Sequence, residues 1–330
     1  MSQEIIKKNP IFQIFPLFPC PYLPSSSLPV ILSRMSILHL THPLNGLLML
    51  AFPILIGIFL TRRFHLGWRI WWIGGATFVL SQIGHIPFNA WFFGLFQKGV
   101  LTLPSPAWEL PVFALLGGLS AGVFEECARY AAYRWWAKDA RTWGKGLLMG
   151  AGHGGMEAIL LGAIVLYTFF YMLAIRGTDL STLVPAEQLT LAQQQVSGYW
   201  SASWGLTLMG AVERLFTIPF HIACSALVLQ AFRRKQMRWL LFAILYHTFI
   251  DAAIPGFAWP KLQAYPWGAY AVEGLLGLTV LLDLAIIRML RTPEPPPPPD
   301  LPPLPDPLST ANLTVVPETP ESLDNSRYNT

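Results

Sequence analysis

Charged residues are scarce in this sequence. Only 12% of its 330 residues are Asp, Glu, Lys or Arg, whereas a soluble domain carries about 25%. Hydrophobic residues make up 53% of the chain, and long uncharged runs follow one another. This composition excludes an ordinary soluble domain and predicts an all-α fold, namely a polytopic transmembrane helical bundle.

Cysteines and basic runs are also scarce. The three cysteines, Cys20, Cys127 and Cys224, form no CxxC or comparable pair, so neither a disulfide framework nor a cysteine-rich metal site is expected. The net charge of +4 is spread over short loops, and no loop combines a long basic run with stacking aromatic residues. Nucleic acid is therefore excluded as a partner, and the expected surroundings are a lipid bilayer.

Seven apolar stretches are about long enough to cross ~30 Å of hydrocarbon. They are predicted at residues 44–60, 70–96, 109–133, 146–175, 205–232, 238–256 and 266–290. A polar stretch at 176–199 is expected to form a surface helix or loop. Basic residues follow spans one, three and five, so the positive-inside rule predicts an external N-terminus and a cytoplasmic C-terminus. The membrane is predicted to be the plasma (inner) membrane of a prokaryote.

The two ends of the chain differ from the predicted transmembrane domain at residues 44–291. Residues 1–43 are apolar but contain prolines at positions 10, 16, 19, 21, 24 and 29, which predicts a poor helix. If this segment inserts, the chain has eight spans, and Met35 is an alternative start. Residues 292–330 contain a proline-rich run that favours polyproline II, so we expect a disordered cytoplasmic tail.

Ionisable residues inside spans are costly and normally face a bundle interior or a water-filled cavity. Three pairs lie four residues apart, and therefore on one helical face: Glu125 with Arg129, His153 with Glu157, and His247 with Asp251. A further histidine, His221, lies in the fifth span. Counted from the basic residues at 1.5 Å per residue, the Glu and His members of this set fall into one layer roughly 12–18 Å deep.

The adjacent glutamates of span three cannot face the same way, because neighbours on a helix diverge by about 100°. Glu125 is expected to face the cavity, while Glu126 packs against or bonds to a neighbouring helix and supports Glu125. Arg129 is expected to pair with these carboxylates. The other groups are interpreted as a structural ion pair, Glu213–Arg214, and as three residues without a predicted partner, His85, Glu273 and Asp283.

Histidines and carboxylates at one level suit two kinds of hydrolytic chemistry. They can hold Zn²⁺ with an open position for water, and the candidate ligands are His153, His221, His247 and Glu125. Alternatively, a Glu and a His activate water directly, while His247 with Asp251 stabilises the oxyanion. The chain contains no HExxH motif, which excludes an ordinary zincin.

Two functions other than hydrolysis remain open. A layer of Glu, His and Asp can also form the proton relay of a proton-coupled transporter or channel. A non-catalytic immunity or scaffold protein could keep the same fold without turnover.

Four short motifs resemble a known series. They are "FEECARY", "HGGMEAI", "FTIPFH" and "HTFID", in that order. The series resembles the CAAX-protease and bacteriocin-processing (CPBP) superfamily of intramembrane proteases, with the YhfC family nearest and the PrsW proteases as relatives. The resemblance covers residues 105–256 and implies a helical bundle whose hydrolytic site opens to the cytoplasm.

The resemblance also implies roles for individual residues. The matching catalytic positions are Glu125, Glu126, Arg129, Glu157, His221, His247 and Asp251. The implied activity is that of an endopeptidase that cuts a membrane-anchored or membrane-inserted peptide. Two spacings depart from the common pattern: Arg129 is three residues after Glu126 instead of four, and Phe216 is five before His221 instead of four. These departures indicate a divergent subfamily and leave the substrate class open.

Overall fold

The computed structural model describes residues 28–103 and 105–294, with side chains from residue 37 onward. This part of the chain is helical and contains no strand. Its α-helices are α1 (Leu28–Phe64), α2 (Arg69–Gln97), α3 (Glu109–Trp135), α4 (Trp143–Ala174), α5 (Ala186–Ser201), α6 (Met209–Arg233), α7 (Arg238–Ala253), α8 (Trp259–Leu262) and α9 (Gly268–Met289).

Most helices lie where the apolar stretches predict them. The bounds of α2, α3, α4, α6 and α9 agree with the predicted spans to within a few residues. Most of α5 lies in the polar stretch, as expected for a surface helix. The α7 helix continues into a π-helical turn, Ile254–Ala258, and then into α8. Pro255 and Pro260 lie in these two segments and prevent one regular helix.

The prediction of a poor helix over residues 1–43 is wrong for residues 28–43, because α1 begins at Leu28. Pro29 lies in the first turn, where the missing N–H group has no helical partner to lose. Pro43 and Pro53 lie inside the helix. Transmembrane helices tolerate internal prolines, since neighbouring groups bond the freed carbonyls. Residues 1–27 and the tail from residue 295 lie outside the described residues, so the predictions for them stay predictions.

Six helical segments among the described residues are long and apolar enough to cross a membrane. They are Ile37–Phe64, Pro106–Trp135, Trp143–Ala174, Leu206–Arg233, Arg238–Leu262 and Gly268–Met289. The remaining predicted span, the second, corresponds to α2, which has 29 residues but falls outside this set, because its tryptophans and three polar residues (Gln82, His85 and Asn89) lower its hydropathy. It packs against α3 and α4. The polytopic helical bundle is confirmed.

Glycines allow the helices that carry the ionisable residues to approach closely. A Cβ atom on Gly154 of α4 would lie 2.7 Å from Cδ2 of His221 on α6. A Cβ atom on Gly122 of α3 would lie 2.8 Å from the carbonyl oxygen of Ile244 on α7. Small residues at such crossings bring helix backbones together. The α3–α7 and α4–α6 pairs are therefore close enough for their polar side chains to meet.

The basic loops lie together at one end of the bundle. Asp139, in the loop after α3, accepts hydrogen bonds from Lys145 of α4 (3.0 Å) and Arg69 of α2 (3.1 Å). These two bonds lower the pKa of Asp139 to about 2. The Trp143 indole donates to the carbonyl of Ile287 in α9 (3.0 Å). We call this end, formed by the loops after α1, α3 and α6 and the end of α9, the basic end.

Candidate active site

Ionisable side chains from four helices meet inside the bundle. They are Glu125, Glu126 and Arg129 of α3, His153 and Glu157 of α4, His221 of α6, and His247 and Asp251 of α7. Each forms a hydrogen bond or ion pair with at least one other member. The Asp251 side chain is 37% exposed and the Glu157 side chain 19%, whereas the other six residues are buried. The structure thus brings together all of the predicted site residues, while their roles stay predictions.

Glu125 lies where α2, α3 and α4 meet. Its Oε1 atom accepts a hydrogen bond from Nε2 of Gln82 (3.1 Å), and its Oε2 atom lies 2.9 Å from Nε2 of His153. The same Oε2 atom lies 3.8 Å from Arg129 Nη2 and 3.8 Å from His247 Nε2. One carboxylate oxygen therefore faces basic groups of three helices.

Glu126 points toward α7, as expected for its different direction on α3. Its Oε1 atom accepts hydrogen bonds from Arg129 Nη1 and from His247 Nδ1, the latter at 2.7 Å. The other ring nitrogen of His247 lies 3.3 Å from Asp251 Oδ2. Because ionised carboxylates only accept hydrogen bonds, a doubly protonated ring satisfies both contacts. His247 then carries a positive charge beside Glu125.

His221 connects Arg129 to Glu157. Arg129 Nη2 lies 2.7 Å from His221 Nδ1, and a guanidinium group can only donate. Nδ1 therefore accepts, so that the proton of His221 is on Nε2 and is donated to Glu157 Oε2 at 2.6 Å. Both nitrogens of this ring are engaged by protein groups.

The same network extends to Arg214. Its Nη1 atom donates to Glu157 Oε1 (2.5 Å), and its Nη2 atom donates to Glu213. The predicted Glu213–Arg214 ion pair is present, but Arg214 also belongs to the buried network through Glu157. A continuous series of polar contacts now runs from Glu213 through His221 to Asp251.

Glu125, His153 and His221 could hold a metal ion. One donor atom of each residue lies within 4.8 Å of the others, and all three residues are buried. Two imidazoles and one carboxylate form the ligand set of several catalytic zinc sites. His221 would have to give up one of its present hydrogen bonds to serve as a ligand, because both of its nitrogens are engaged.

Thr77 determines which nitrogen of His153 has a free lone pair. Its hydroxyl donates its only proton to the carbonyl of Gly74 (2.5 Å), so at the 2.7 Å contact it accepts from Nδ1–H of His153. The neutral ring then turns the lone pair of Nε2 toward Glu125 Oε2, 2.9 Å away. Two lone pairs at this distance repel each other unless a proton or a cation lies between them. A proton on Nε2, as in the doubly protonated His247, or a bound cation satisfies this requirement, so the pair is compatible with a metal ion, and Thr77 orients the ring in either case.

The charge of the network also suits a divalent cation. Two guanidinium groups, Arg129 and Arg214, face five carboxylates: Glu125, Glu126, Glu157, Glu213 and Asp251. Even with a protonated His247, the carboxylates leave two negative charges in excess. A bound divalent ion would neutralise them.

A second group of metal-ligating side chains overlaps the first. Glu126, Cys224 and His247 also offer donor atoms within 4.8 Å of one another. Arg129 contacts both groups, through Glu126 of this one and through Glu125 and His221 of the other. The group with Glu125 offers two imidazoles and one carboxylate, which is the ligand set of known catalytic zinc sites, whereas the second group offers only one imidazole.

Sequence reasoning missed the uncharged partners of the site. Gln82 and Thr77 of α2 hold Glu125 and His153 respectively. Uncharged amides and hydroxyls occur in most transmembrane helices, so they gave no signal comparable to a buried charge. In the sequence, these uncharged residues are reflected only in the lower hydropathy of α2.

Two ionisable residues for which the sequence predicts no partner, His85 and Asp283, form hydrogen bonds in the structure. His85 Nδ1 lies 3.2 Å from Gln82 Oε1, and its Nε2 atom lies 3.0 Å from Ser120 Oγ and 2.8 Å from Asn89 Nδ2. Asp283 Oδ1 accepts from the Tyr246 hydroxyl at 2.5 Å. These partners are amides and hydroxyls, which carry no charge that would predict a pairing from the sequence.

Comparison with known proteins shows to which family the chain belongs. The model of the YhfC intramembrane metalloprotease family matches residues 48–262. A Bacillus subtilis (strain 168) protein named "Uncharacterized membrane protein YhfC" is 30% identical over 220 residues, which cover 63% of this chain and 80% of that protein. No solved structure matches the chain. The wider relation to the CPBP superfamily and the PrsW proteases stays a prediction from the motifs. The chain belongs to the YhfC intramembrane metalloprotease family.

Proposed function

We propose that this protein is an intramembrane endopeptidase, which hydrolyses a peptide bond of a membrane-anchored or membrane-inserted substrate. The observation that carries the proposal is the 2.9 Å contact between Glu125 and His153. It lies in a buried network with an excess of negative charge, where a cation or an activated water would be held. Membership of a family named for metalloprotease activity supports the same reaction class.

The proposed metal ligands are Glu125, His153 and His221, whose donor atoms lie within 4.8 Å of one another. A zinc ion held by them would lower the pKa of a water molecule and polarise the carbonyl of the substrate. His247 is not proposed as a ligand, because the donor atoms of the group with Glu125, His153 and His221 do not include one of its nitrogens. In a mechanism without metal, Glu125 is the base that takes the proton from water.

His247 is the proposed proton donor to the leaving amine. Its Nε2–H group points toward the side of the site where Glu125 and Asp251 lie. Glu126, bonded to Nδ1, holds the ring in position and stabilises its charge. Asp251 is the most exposed carboxylate on this histidine, so it connects Nε2 to the surroundings and can return the proton. Arg129 positions Glu126 and His221 together.

The basic end is proposed to face the cytoplasm. Basic residues dominate the loops after α1, α3 and α6, and cytoplasmic loops are enriched in Lys and Arg. The orientation places the N-terminus outside and the C-terminus in the cytoplasm. For a prokaryotic chain, the membrane is the plasma membrane.

The polar contacts from Glu213 to Asp251 are the one feature that would favour a proton-coupled transporter. The series passes through Arg214 and Arg129. Guanidinium groups do not release their protons in proteins, so they interrupt a path along which protons must hop. The network therefore suits a fixed catalytic site better than a relay.

The proposal is tested by comparing membrane peptides from cells that carry the natural protein, Glu125→Gln or Glu109→Gln. Glu109 lies at the exposed start of the same helix, so its variant is a matched control. Peptides that end at defined cleavage sites should be present with the natural protein and the control, and absent with Glu125→Gln. Identical peptides in all three strains, at equal protein levels, would refute the peptidase assignment.

A further inference from the structure

A pocket lined by basic and aromatic side chains opens at the basic end. Arg134, Trp135, Lys138, Arg141 and Phe232 line an open pocket of about 420 Å³ between the loop after α3 and the end of α6. Ligand sites commonly have volumes of ~300–1,000 Å³. We call this feature the basic pocket. It is separate from the proposed active site and shares no residue with it.

The loop after α3 separates its negative charge from its positive charges. Its only acidic residue, Asp139, is bonded to Arg69 and Lys145 on the side of α2 and α4. In the part of the chain that the structure describes, Arg134, Lys138 and Arg141 form no ion pair. The basic pocket therefore contains three cationic groups that no carboxylate of the described residues pairs with.

Arg141 makes the basic pocket a formed site. Its guanidinium donates to the carbonyls of Ala137 (3.0 Å), Ala140 (3.1 Å) and Tyr133 (2.9 Å). It also lies 4.5 Å from the centroid of the Phe232 ring. These contacts fix the loop on the end of α3 before any ligand arrives. A preorganised site loses less entropy on binding.

Aromatic side chains place the pocket at the level of lipid headgroups. Trp135 is 65% exposed and Trp136 49%, and exposed tryptophans at the ends of transmembrane helices lie at the membrane–water interface. Below the cations, Tyr130 of α3 stacks on Phe232 of α6, with ring centroids 4.7 Å apart. The site thus combines cations at the interface with an apolar wall that continues toward the bilayer core.

We propose that the basic pocket binds the phosphate-bearing headgroup of an anionic phospholipid. Arg and Lys side chains pair with phosphate oxygens, and basic pockets at the ends of transmembrane helices suit such headgroups. Free inorganic phosphate offers the same anion, but it would make no use of the Tyr130–Phe232 wall. The proposal does not depend on the peptidase activity.

The test uses full-length protein in a neutral detergent, titrated with phosphatidylglycerol or phosphatidylcholine and observed by native mass spectrometry. The variant Arg134→Gln/Lys138→Gln removes two pocket cations. The control Arg63→Gln/Arg288→Gln removes two exposed cations outside the pocket at the same end. Arg141 is left intact, because its loss would also remove hydrogen bonds to the carbonyl of Tyr133 in α3 and to those of Ala137 and Ala140 in the loop.

The natural protein is expected to prefer phosphatidylglycerol. Each cation near an anionic headgroup contributes about fivefold in affinity. The pocket variant should therefore lose about 25-fold for phosphatidylglycerol and little for phosphatidylcholine, whereas the control should change by less than about twofold. Equal unfolding temperatures for both variants would show that the loss is local.

Three results would overturn the proposal. Equal binding of the two lipids would show that the pocket does not recognise an anionic headgroup. Equal losses in the pocket variant and the control would indicate general surface charge. Displacement of phosphatidylglycerol by an equal concentration of inorganic phosphate would make free phosphate the ligand and the lipid incidental.

Discussion

At the scale of single residues, the uncharged Thr77 determines how the His153 ring is oriented. Its proton is donated to Gly74, which leaves its oxygen to accept from Nδ1–H of His153. The protonation pattern of the histidine, and with it the direction of the free lone pair, follows from one intrahelical hydrogen bond. A neutral residue of α2 thus orients a proposed ligand on α4.

The variant Thr77→Val tests this role. Valine keeps the shape but removes the oxygen, so Nδ1–H loses its acceptor and zinc affinity should fall about 10- to 100-fold. The affinity can be measured by competition with a chromophoric chelator on the purified protein. Thr61→Val is the matched control, since Thr61 makes the same type of intrahelical bond to Gly57 (2.8 Å) outside the site. Equal affinities for the two variants would contradict the account of Thr77.

At the scale of helices, close packing determines which side chains can meet. The α4–α6 contact depends on Gly154, which lies against the ring of His221. The centroids of the His153 and His221 rings are 5.1 Å apart. A larger residue in place of Gly154 would increase the distance between α4 and α6 and so move these rings apart. Gly154 of α4 therefore helps to form the site, because it allows the close approach of α4 and α6.

Gly154→Ala should destabilise the protein and disturb the site. The added Cβ would lie 2.7 Å from His221, and overpacking of this kind costs about 1–3 kcal/mol. Thermal unfolding in detergent, together with zinc affinity, measures both effects. Gly274→Ala on α9 is the control, because nothing lies within 4 Å of its Cβ position. If Gly154→Ala behaved like Gly274→Ala in both measurements, the packing argument would fail.

Helix geometry explains how much of the site could be predicted from the sequence. Each residue of a transmembrane helix adds a fixed rise, so the depth of a side chain can be calculated from its position in the chain. Counting residues therefore predicts that Glu125, His153 and His247 lie at the same depth. Rotation about each helix axis does not follow in this way. Arg214 was therefore paired with its neighbour Glu213, although α6 also turns it toward Glu157.

The start of α1 could not be predicted for a different reason. Residues 28–43 contain two prolines, and the helix penalty of proline applies to an isolated segment in water. In the structure α1 packs along α4 and α6, and this tertiary packing outweighs local propensity. The uncharged residues Thr77 and Gln82 were missed because their importance depends on neighbours from other helices.

At the scale of the whole molecule, the two ends of the bundle differ in charge. At the basic end, Asp139 connects α2, the loop after α3 and α4. The exposed cations of this end are the basis of both the proposed cytoplasmic orientation and the proposed lipid site. Asp139 is the main acidic residue that holds these loops together.

Asp139→Asn should lower stability in a pH-dependent way. The folded pKa of about 2 lies below the ordinary value of 3.8, so the ionised group stabilises the fold above that value and loses its effect as the pH falls toward 2. Because the side chain is 53% exposed, the cost at pH 7 should be only about 0.2–1 kcal/mol. Thermal unfolding between pH 7 and pH 2 measures it. A difference between the two proteins that stayed constant over this range would contradict the ion-pair explanation.

The zinc content of purified full-length protein tests the central claim most directly. Protein prepared without chelators should contain about one zinc per chain, and Glu125→Gln and His153→Gln should each reduce this to less than about a tenth, because both remove a proposed ligand. Glu109→Gln, at the exposed start of α3, should keep the full amount. Folded natural protein that contained no zinc and kept its activity in the presence of chelators would contradict the metal centre.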